Sequence, residues 1–221
     1  MAAKNILLVE GKSDEAFFGA FYEILGLSAK VQVAPPQSVG GSFNNKEGVL
    51  NHLPVLLNQL PDGQLERLGV IVDADHSAAG GLGYQRTVDR VSEIVVKSGF
   101  SRPRPIGKSG GLAFSSADGF HDFGLWVMPD NQSDGMLEDW IKSSIVQSET
   151  PLLTQVQQAV GALKEPKFKQ LHLSKAEVAT WLAWQKNPGR GFESAVTELL
   201  LDRQARHMAL FEQWSRHIFD S

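Results

Sequence analysis

The stretch LLVEGKSDE, residues 7–15, passes from a short apolar run directly into glycine and charged residues. The segment from Lys4 to Val9 is typical of a buried strand, and after Ser13 apolar residues recur at helical spacing until Gly26. A strand followed at once by a helix is the first half of a strand–helix–strand unit. The stretch therefore predicts an α/β fold, with Glu10 at the end of its first strand.

The same alternation continues along the chain. Strand patterns at 30–34 and 68–72 are separated by a helical pattern at 47–60, and a further helical pattern surrounds residues 88–95. Parallel strands need crossover helices, so this order predicts a mostly parallel sheet with helices on both faces. Short strands are then predicted at 104–106, 112–115 and 123–128, and helices from Met136 to the end. We expect an α/β domain over residues 1–145 and a helical C-terminal extension, 146–221, packed on it.

Composition restricts the class of protein. The 221 residues are 42% apolar and 21% charged, which is typical of a globular protein. No apolar run has the length of a membrane span, and the N-terminal run is too short for a signal peptide, so we expect a cytoplasmic protein. Cysteine is absent, which excludes disulfides, thiolate zinc sites and cysteine nucleophiles. Any metal ion must therefore be held by oxygen or imidazole.

Two Gly-Lys-Ser sequences suggest phosphate-binding loops, but neither has the required spacing. The loop needs a glycine five positions before its Gly-Lys pair. That position is Ile6 for the sequence at Gly11 and Arg102 for the sequence at Gly107. A phosphate loop of this type is therefore excluded at both places.

Acidic residues follow two of the predicted strands. Glu10 ends the first strand, and Asp73 and Asp75 follow the strand at 68–72. Ligands bind at the carboxyl ends of strands in open parallel sheets, and alternate residues of an extended segment point to the same side, about 7 Å apart. These three carboxylates are predicted to hold Mg²⁺ or Mn²⁺, which prefer oxygen ligands. The alternative for each single acid is a helix cap or a solvated loop residue, as we predict for Asp14.

A second acidic group lies in MPDNQSDGMLEDW, residues 128–140, at another strand-to-helix junction. Its acids are Asp130, Asp134, Glu138 and Asp139. They either complement the positive end of a helix dipole or supply a second metal ion, and two metal ions can clamp both oxygens of a phosphodiester displacement.

Positive charge is modest. The formal net charge of −4 argues against bulk coating of nucleic acid. Six basic residues and only two acids lie between Arg86 and Lys108, which indicates either a solvated surface or a patch that steers a nucleic-acid backbone. The candidate nucleic-acid-binding residues are Lys12, Arg102, Arg104 and Lys108.

These motifs resemble the Toprim domain, the metal-binding module of topoisomerases, primases and related nucleases. Val9-Glu10-Gly11 matches its glutamate after the first strand, and Val72-Asp73-Ala74-Asp75 matches its Asp-x-Asp. The chain more closely resembles an uncharacterised Toprim-related family akin to the overcoming-lysogenization-defect nucleases. That similarity rests on Leu8-Val9-Glu10-Gly11, Met128-Pro129-Asp130-Asn131, Gly135-Met136-Leu137-Glu138-Asp139 and Thr180-Trp181-Leu182-Ala183-Trp184-Gln185.

The resemblance implies a Toprim/Rossmann-like fold and roles for the acids. Glu10 would be a metal ligand or general base, Asp73 and Asp75 metal ligands, and Glu138 with Asp139 would serve a second ion. Many Toprim domains carry a third aspartate where this chain has Ser77. An ATPase domain usual in the lysogenization-related nucleases is not part of this sequence, so a separate protein would supply it.

Three functions follow from the sequence. The first is a magnesium-dependent nuclease acting on DNA or RNA through Glu10, Asp73 and Asp75, in defence or repair. The second is a non-catalytic Toprim-like module that binds nucleotide or nucleic acid within a larger complex. The third is another Asp-x-Asp enzyme, such as a phosphatase, although phosphatases of that kind use a first-strand aspartate where this chain has Glu10.

Overall fold

A computed structural model describes residues 4–35 and 45–220 and contains a six-stranded sheet flanked by helices. The predicted α/β class is confirmed. The strands are β1 (Asn5–Val9), β2 (Lys30–Val33), β3 (Arg67–Asp73), β4 (Arg104–Pro105), β5 (Leu112–Phe114) and β6 (Phe123–Met128). The α-helices are α1 (Lys12–Leu25), α2 (Lys46–Gln59), α3 (Tyr84–Lys97), α4 (Leu137–Ser144), α5 (Thr150–Gly161), α6 (Leu173–Ala183), α7 (Glu193–Thr197) and α8 (Arg206–Phe219).

The strand order is β2-β1-β3-β6-β5-β4. The first four strands of this order are parallel, whereas β5 and β4 pair antiparallel at one edge. The prediction of a mostly parallel sheet is therefore confirmed. Because β1, β3 and β6 are adjacent and parallel, their carboxyl ends lie side by side, and we call this end of the sheet its carboxyl edge. The segments that follow these strands carry the predicted acidic residues.

The sheet buries both of its faces, and the side chains of each strand alternate between them. Leu7 and Val9 face α1, α4 and the C-terminal helices, whereas Ile6 and Leu8 face α2 and α3. This two-sided burial explains why β1 has a continuous apolar sequence. The predicted domain division at residue 145 stays a prediction. The apolar core between the sheet and α1, α4 and the C-terminal helices contains side chains from both sides of residue 145.

Helix α8 packs directly on the sheet through two glycines. A methyl group added at Gly111 would lie 2.2 Å from Trp214 Cδ1, and one added at Gly124 would lie 2.5 Å from Ile218 Cγ1. Trp214 and Ile218 of α8 are fully or almost fully buried. The absence of side chains at Gly124 in β6 and at Gly111, which directly precedes β5, therefore allows the C-terminal helix to cover the sheet.

We expect Gly124→Ala to lower the free energy of unfolding by about 2–3 kcal/mol, because overpacking would push α8 away from the sheet. Urea denaturation measures this change. Gly19→Ala is the matched control, since a methyl group inside α1 would contact nothing within 4 Å. That variant is expected to be as stable as wild type, or up to about 1 kcal/mol more stable. Equal stability of Gly124→Ala and wild type would contradict this packing.

None of the helices within residues 4–35 and 45–220 combines the length and apolar character that spanning a bilayer requires.

Candidate functional site

A cavity of about 330 Å³ lies at the carboxyl edge of the sheet, where β1 and β3 end and α1 and α4 begin. Four carboxylates line it together with one lysine from α6. The lining residues are Glu10, Gly11, Lys12, Ser13, Asp14, Asn45, Asp73, Leu137, Glu138, Lys175, Ala179 and Phe192. The structure thus brings together the predicted site residues Glu10, Asp73 and Glu138, and adds Asp14.

Glu10 links the ends of two neighbouring strands. Its Oε1 accepts a hydrogen bond of 2.9 Å from the backbone N–H of Asp73. Burial raises the pKa of Glu10 to about 7, although the positive charge of Lys46 and this hydrogen bond oppose the rise. Near neutral pH, Glu10 can therefore either hold or release a proton.

Asp73 occupies the last position of β3 and contacts the next helix. Its Oδ1 accepts a 3.0 Å hydrogen bond from the backbone N–H of Leu137, the first residue of α4. Burial, followed by the charges of Glu10 and Asp14, raises the pKa of Asp73 well above its ordinary value. The carboxylates of this cavity therefore repel one another when they are ionised.

Asp14 has two roles in this arrangement. Its Oδ2 accepts a 3.1 Å hydrogen bond from the backbone N–H of Gly11, which caps α1 as the sequence predicted. The same side chain lines the cavity, and burial raises its pKa against the effect of its hydrogen bonds. The helix cap is therefore also part of the acidic cluster.

Glu138 approaches from the first turn of α4 and is almost completely buried, at 4% exposure. Burial raises its pKa to about 7, while Lys175 acts in the opposite direction. The Lys175 Nζ lies 3.9 Å from Glu138 Oε1. Burial lowers the pKa of Lys175, but Glu138, Asp73 and further acids of the cavity outweigh that effect and raise it overall. One ammonium group thus acts on the whole acidic cluster.

The cavity suits Mg²⁺ or Mn²⁺ because its four carboxylates supply oxygen ligands, which these ions prefer. A bound cation would also relieve the repulsion between the carboxylates. Within residues 4–35 and 45–220, however, no three His, Asp or Glu side chains stand together as a ready-made metal site. Asp73 and Glu138, which share this cavity with Glu10, are the residues that would hold an ion there. The cavity therefore offers the type of ligand that Mg²⁺ and Mn²⁺ prefer.

Asp75 is placed differently from the sequence prediction. The expectation that it projects beside Asp73 assumed extended backbone, but β3 ends at Asp73 and Asp75 has a φ of 61°. Its Oδ2 lies 2.5 Å from the Nζ of Lys46. Asp75 therefore forms an ion pair and does not line the cavity of Glu10 and Asp73.

Asp139 is also held by protein partners. Its Oδ2 accepts a 3.1 Å hydrogen bond from the backbone N–H of Met136 and lies 3.1 Å from His76 Nε2. Its Oδ1 accepts a 2.5 Å hydrogen bond from Ser174 and lies 3.3 Å from Lys142 Nζ. Asp139 therefore joins α4, α6 and the loop after β3, beside the cavity that Lys175 enters from α6.

Replacing Asp139 by Ala is expected to lower the free energy of unfolding by about 2 kcal/mol, because the cap of α4 and the link to Ser174 are both lost. Urea denaturation tests this. Asp89→Ala removes an exposed aspartate whose partner on α3 is Gln85, and it is expected to change stability by less than about 0.5 kcal/mol. A similarly small effect of Asp139→Ala would show that the contacts of Asp139 contribute little to the stability of the fold.

The predicted basic residues do not all surround the cavity. Lys12 lines it and forms an exposed ion pair of 2.5 Å with Glu15. Arg102 lines a separate groove along α3, and Arg104 pairs with Asp122. Lys108 lies in the exposed turn between β4 and β5. Of these candidates, Lys12 is the one that the structure brings to the acidic cluster.

Sequence reasoning missed Lys46 and Lys175. Neither lysine belongs to a strand-end motif, and each reaches the site through packing of its helix. Nothing in the local sequence indicated that α6, the helix of Lys175, would cover the carboxyl edge of the sheet.

Comparison with curated proteins found no match. Comparison with solved structures also found none. The profile of one protein family matches residues 4–220, which is nearly the whole chain. The chain therefore belongs to the DUF3226 family, whose description is a protein of unknown function.

Proposed function

We propose that this protein is a magnesium-dependent enzyme that cleaves phosphodiester bonds in DNA or RNA. The observation that carries the proposal is the convergence of Glu10, Asp73 and Glu138 with Lys175 on one cavity at the carboxyl edge of the sheet. A buried acidic cluster with raised pKa values is typical of functional sites rather than of packing. The resemblance to Toprim domains supports the same reaction.

The residues of the cavity divide the tasks of such a reaction. The ammonium of Lys175 would attract the phosphate and balance its negative charge. Glu10, whose pKa lies at about 7, would accept a proton from the attacking water. Asp73 and Glu138 would hold the cation. The hydrogen bond from the Asp73 N–H to Glu10 joins the ends of β1 and β3, and the one from the Leu137 N–H to Asp73 joins β3 to α4. A divalent ion bound there would act as a Lewis acid on the phosphate.

The cavity suits a small polar group. A volume of about 330 Å³ corresponds to roughly ten water molecules at about 30 Å³ each, which accommodates a phosphate with its adjoining sugar atoms. Lys12 at the rim would meet the next phosphate along a strand. We propose that the substrate is a nucleic acid, that the reaction takes place in the cytoplasm, and that a separate ATPase is a partner.

A second function is favoured by one specific observation. Among the described residues no three acids stand in ready ligand geometry, and two lysines supply positive charge instead. A module that binds nucleotide or nucleic acid without cleaving it would be built in this way. Binding of a labelled oligonucleotide without product formation in Mg²⁺ or Mn²⁺ would support this alternative.

The proposed reaction is tested with purified protein, linear and circular DNA, and single-stranded RNA, each with Mg²⁺, Mn²⁺ or EDTA. We expect cleavage that depends on the metal ion and falls by about a hundredfold or more in Glu10→Gln. Glu23→Gln, which changes an exposed glutamate of α1, is the control and is expected to retain wild-type activity. Equal rates for Glu10→Gln and wild type would contradict catalysis at this cavity.

A further inference from the structure

Lys46, the first residue of α2, is held against the loop that follows β3. Its Nζ lies 2.5 Å from Asp75 Oδ2 and 3.5 Å from the carbonyl oxygen of Ala74. Only 12% of its side chain is exposed. A lysine with this little exposure and an acidic partner at such short distance is a fixed element of the site rather than a mobile surface charge.

The backbone fixes Asp75 toward this lysine. Asp75 has a φ of 61°, which is uncommon for a residue other than glycine. Its N–H donates a 2.8 Å hydrogen bond to the carbonyl oxygen of Gly135, and its own carbonyl accepts one of 3.2 Å from the same residue. Gly81 lies so close that a methyl group there would be 2.4 Å from Asp75 Cβ. The backbone of Asp75 is thus held by Gly135 and packed against Gly81, and its side chain, which is 30% exposed, pairs with Lys46.

The charge of Lys46 also reaches the other strand end. It is the strongest influence that opposes the rise of the Glu10 pKa. The ammonium group therefore acts on both the carboxylate that ends β1 and the carboxylate that follows β3. A cation shared by those two carboxylates would act on the same pair of groups.

The disposition of charge differs between the cavity and Asp75. Glu10, Asp73 and Glu138 line the cavity together, with Lys175 Nζ 3.9 Å from Glu138 Oε1. Asp75, which does not line the cavity, is paired with Lys46. From this difference we infer that the site binds a single divalent cation and that Lys46 supplies, at Asp75, the positive charge that a second metal ion would otherwise supply.

This inference rests on the proposed metal-dependent function and makes it more specific. In a two-ion site, metal ions neutralise both the attacking and the leaving oxygen of the phosphodiester cleavage. In this protein one of those positive charges would come from the chain itself. A second divalent ion at Asp75 would have to displace the ammonium of Lys46 or be bound beside it, and like charges at such short distance repel strongly.

The test is the stoichiometry of Mn²⁺ binding to the full chain, measured by calorimetry and by the electron paramagnetic resonance of free Mn²⁺. Wild type is expected to bind one Mn²⁺, and Lys46→Met, which leaves Asp75 unpaired, is expected to bind two. A double variant, Lys46→Met with Asp75→Asn, removes both charges. It is expected to bind one Mn²⁺ with a Kd within about threefold of wild type, because the local net charge is unchanged.

Lys97→Met, an exposed lysine of α3, is the control and is expected to bind one Mn²⁺. Two ions in wild type, or a single ion in Lys46→Met, would overturn the inference. Even if circular dichroism shows that Lys46→Met does not fold, two ions in wild type would still overturn the inference. Two ions with metal-dependent cleavage would overturn the inference and leave the proposed function standing, whereas no bound Mn²⁺ in wild type would overturn both.

Discussion

Asp73→Asn is expected to reduce metal-dependent cleavage by about a thousandfold or more, because Asp73 lies at the centre of the acidic cluster. The amide has the shape of the carboxylate, so its oxygen can still accept the hydrogen bond from Leu137. Folding should therefore be preserved while the negative charge is lost. Initial rates on the preferred nucleic acid, with circular dichroism of both proteins, measure the effect.

Asp75→Asn is the matched comparison, since it makes the same replacement of a carboxylate by an amide at the other aspartate of the Asp-x-Asp motif. Asp75 pairs with Lys46 and does not line the cavity, so we expect a loss of less than about tenfold. Equal and large losses for the two variants would show that both aspartates hold the ion. Full activity of Asp73→Asn would contradict the proposed site altogether.

Glu138→Gln is expected to make the protein more stable than wild type above pH 7 in EDTA, by up to about 3 kcal/mol. Burial raises the pKa of Glu138 from 4.5 to about 7 in the folded protein. Below pH 4.5 the carboxyl group is protonated in both states and contributes nothing. Between these values only the unfolded chain releases the proton, so the wild-type carboxylate destabilises the folded state increasingly as pH rises, and fully above pH 7.

The measurement is urea denaturation of wild type and Glu138→Gln at pH 4.5, 6 and 7.5. The difference between their free energies of unfolding should grow with pH, whereas Glu23→Gln should follow wild type at each pH. Saturating Mn²⁺ should reverse the order, because a bound cation stabilises the ionised carboxylate that the variant lacks. A difference that is constant with pH would mean that burial does not perturb Glu138.

The fold was predictable because its signals are local. The apolar run of β1, the helical spacing of α1 and the closing Gly26 are each contained in a few residues. The end of the chain was less predictable. Helices were expected from Met136 to the end of the chain, whereas α7 ends at Thr197 and α8 begins only at Arg206. Leu199, with a φ of 57°, lies in the connection, and no glycine or proline marked that turn.

The candidate site was predictable only in part. The meeting of Glu10 and Asp73 was predicted because strand ends of a parallel sheet meet at one edge, a rule that the sequence order is enough to apply. Glu138 was expected to serve a second ion, and it lines the same cavity as Glu10 and Asp73. Asp75 was expected beside Asp73 from the two-residue repeat of a strand, but β3 ends at Asp73, two residues before Asp75. The position of Lys175 depends on how α6 packs against α4, and no local pattern encodes that contact.

The central claim is that Asp73 and Glu138 hold a divalent cation in the cavity that they share with Glu10. Anomalous diffraction from a crystal soaked in Mn²⁺ tests it most directly. We predict a Mn²⁺ peak in this cavity within coordination distance of Asp73 and Glu138, with the ion pair of Lys46 and Asp75 intact. A crystal with no Mn²⁺ in this cavity, or with Mn²⁺ bound at Asp139 instead, would contradict the account.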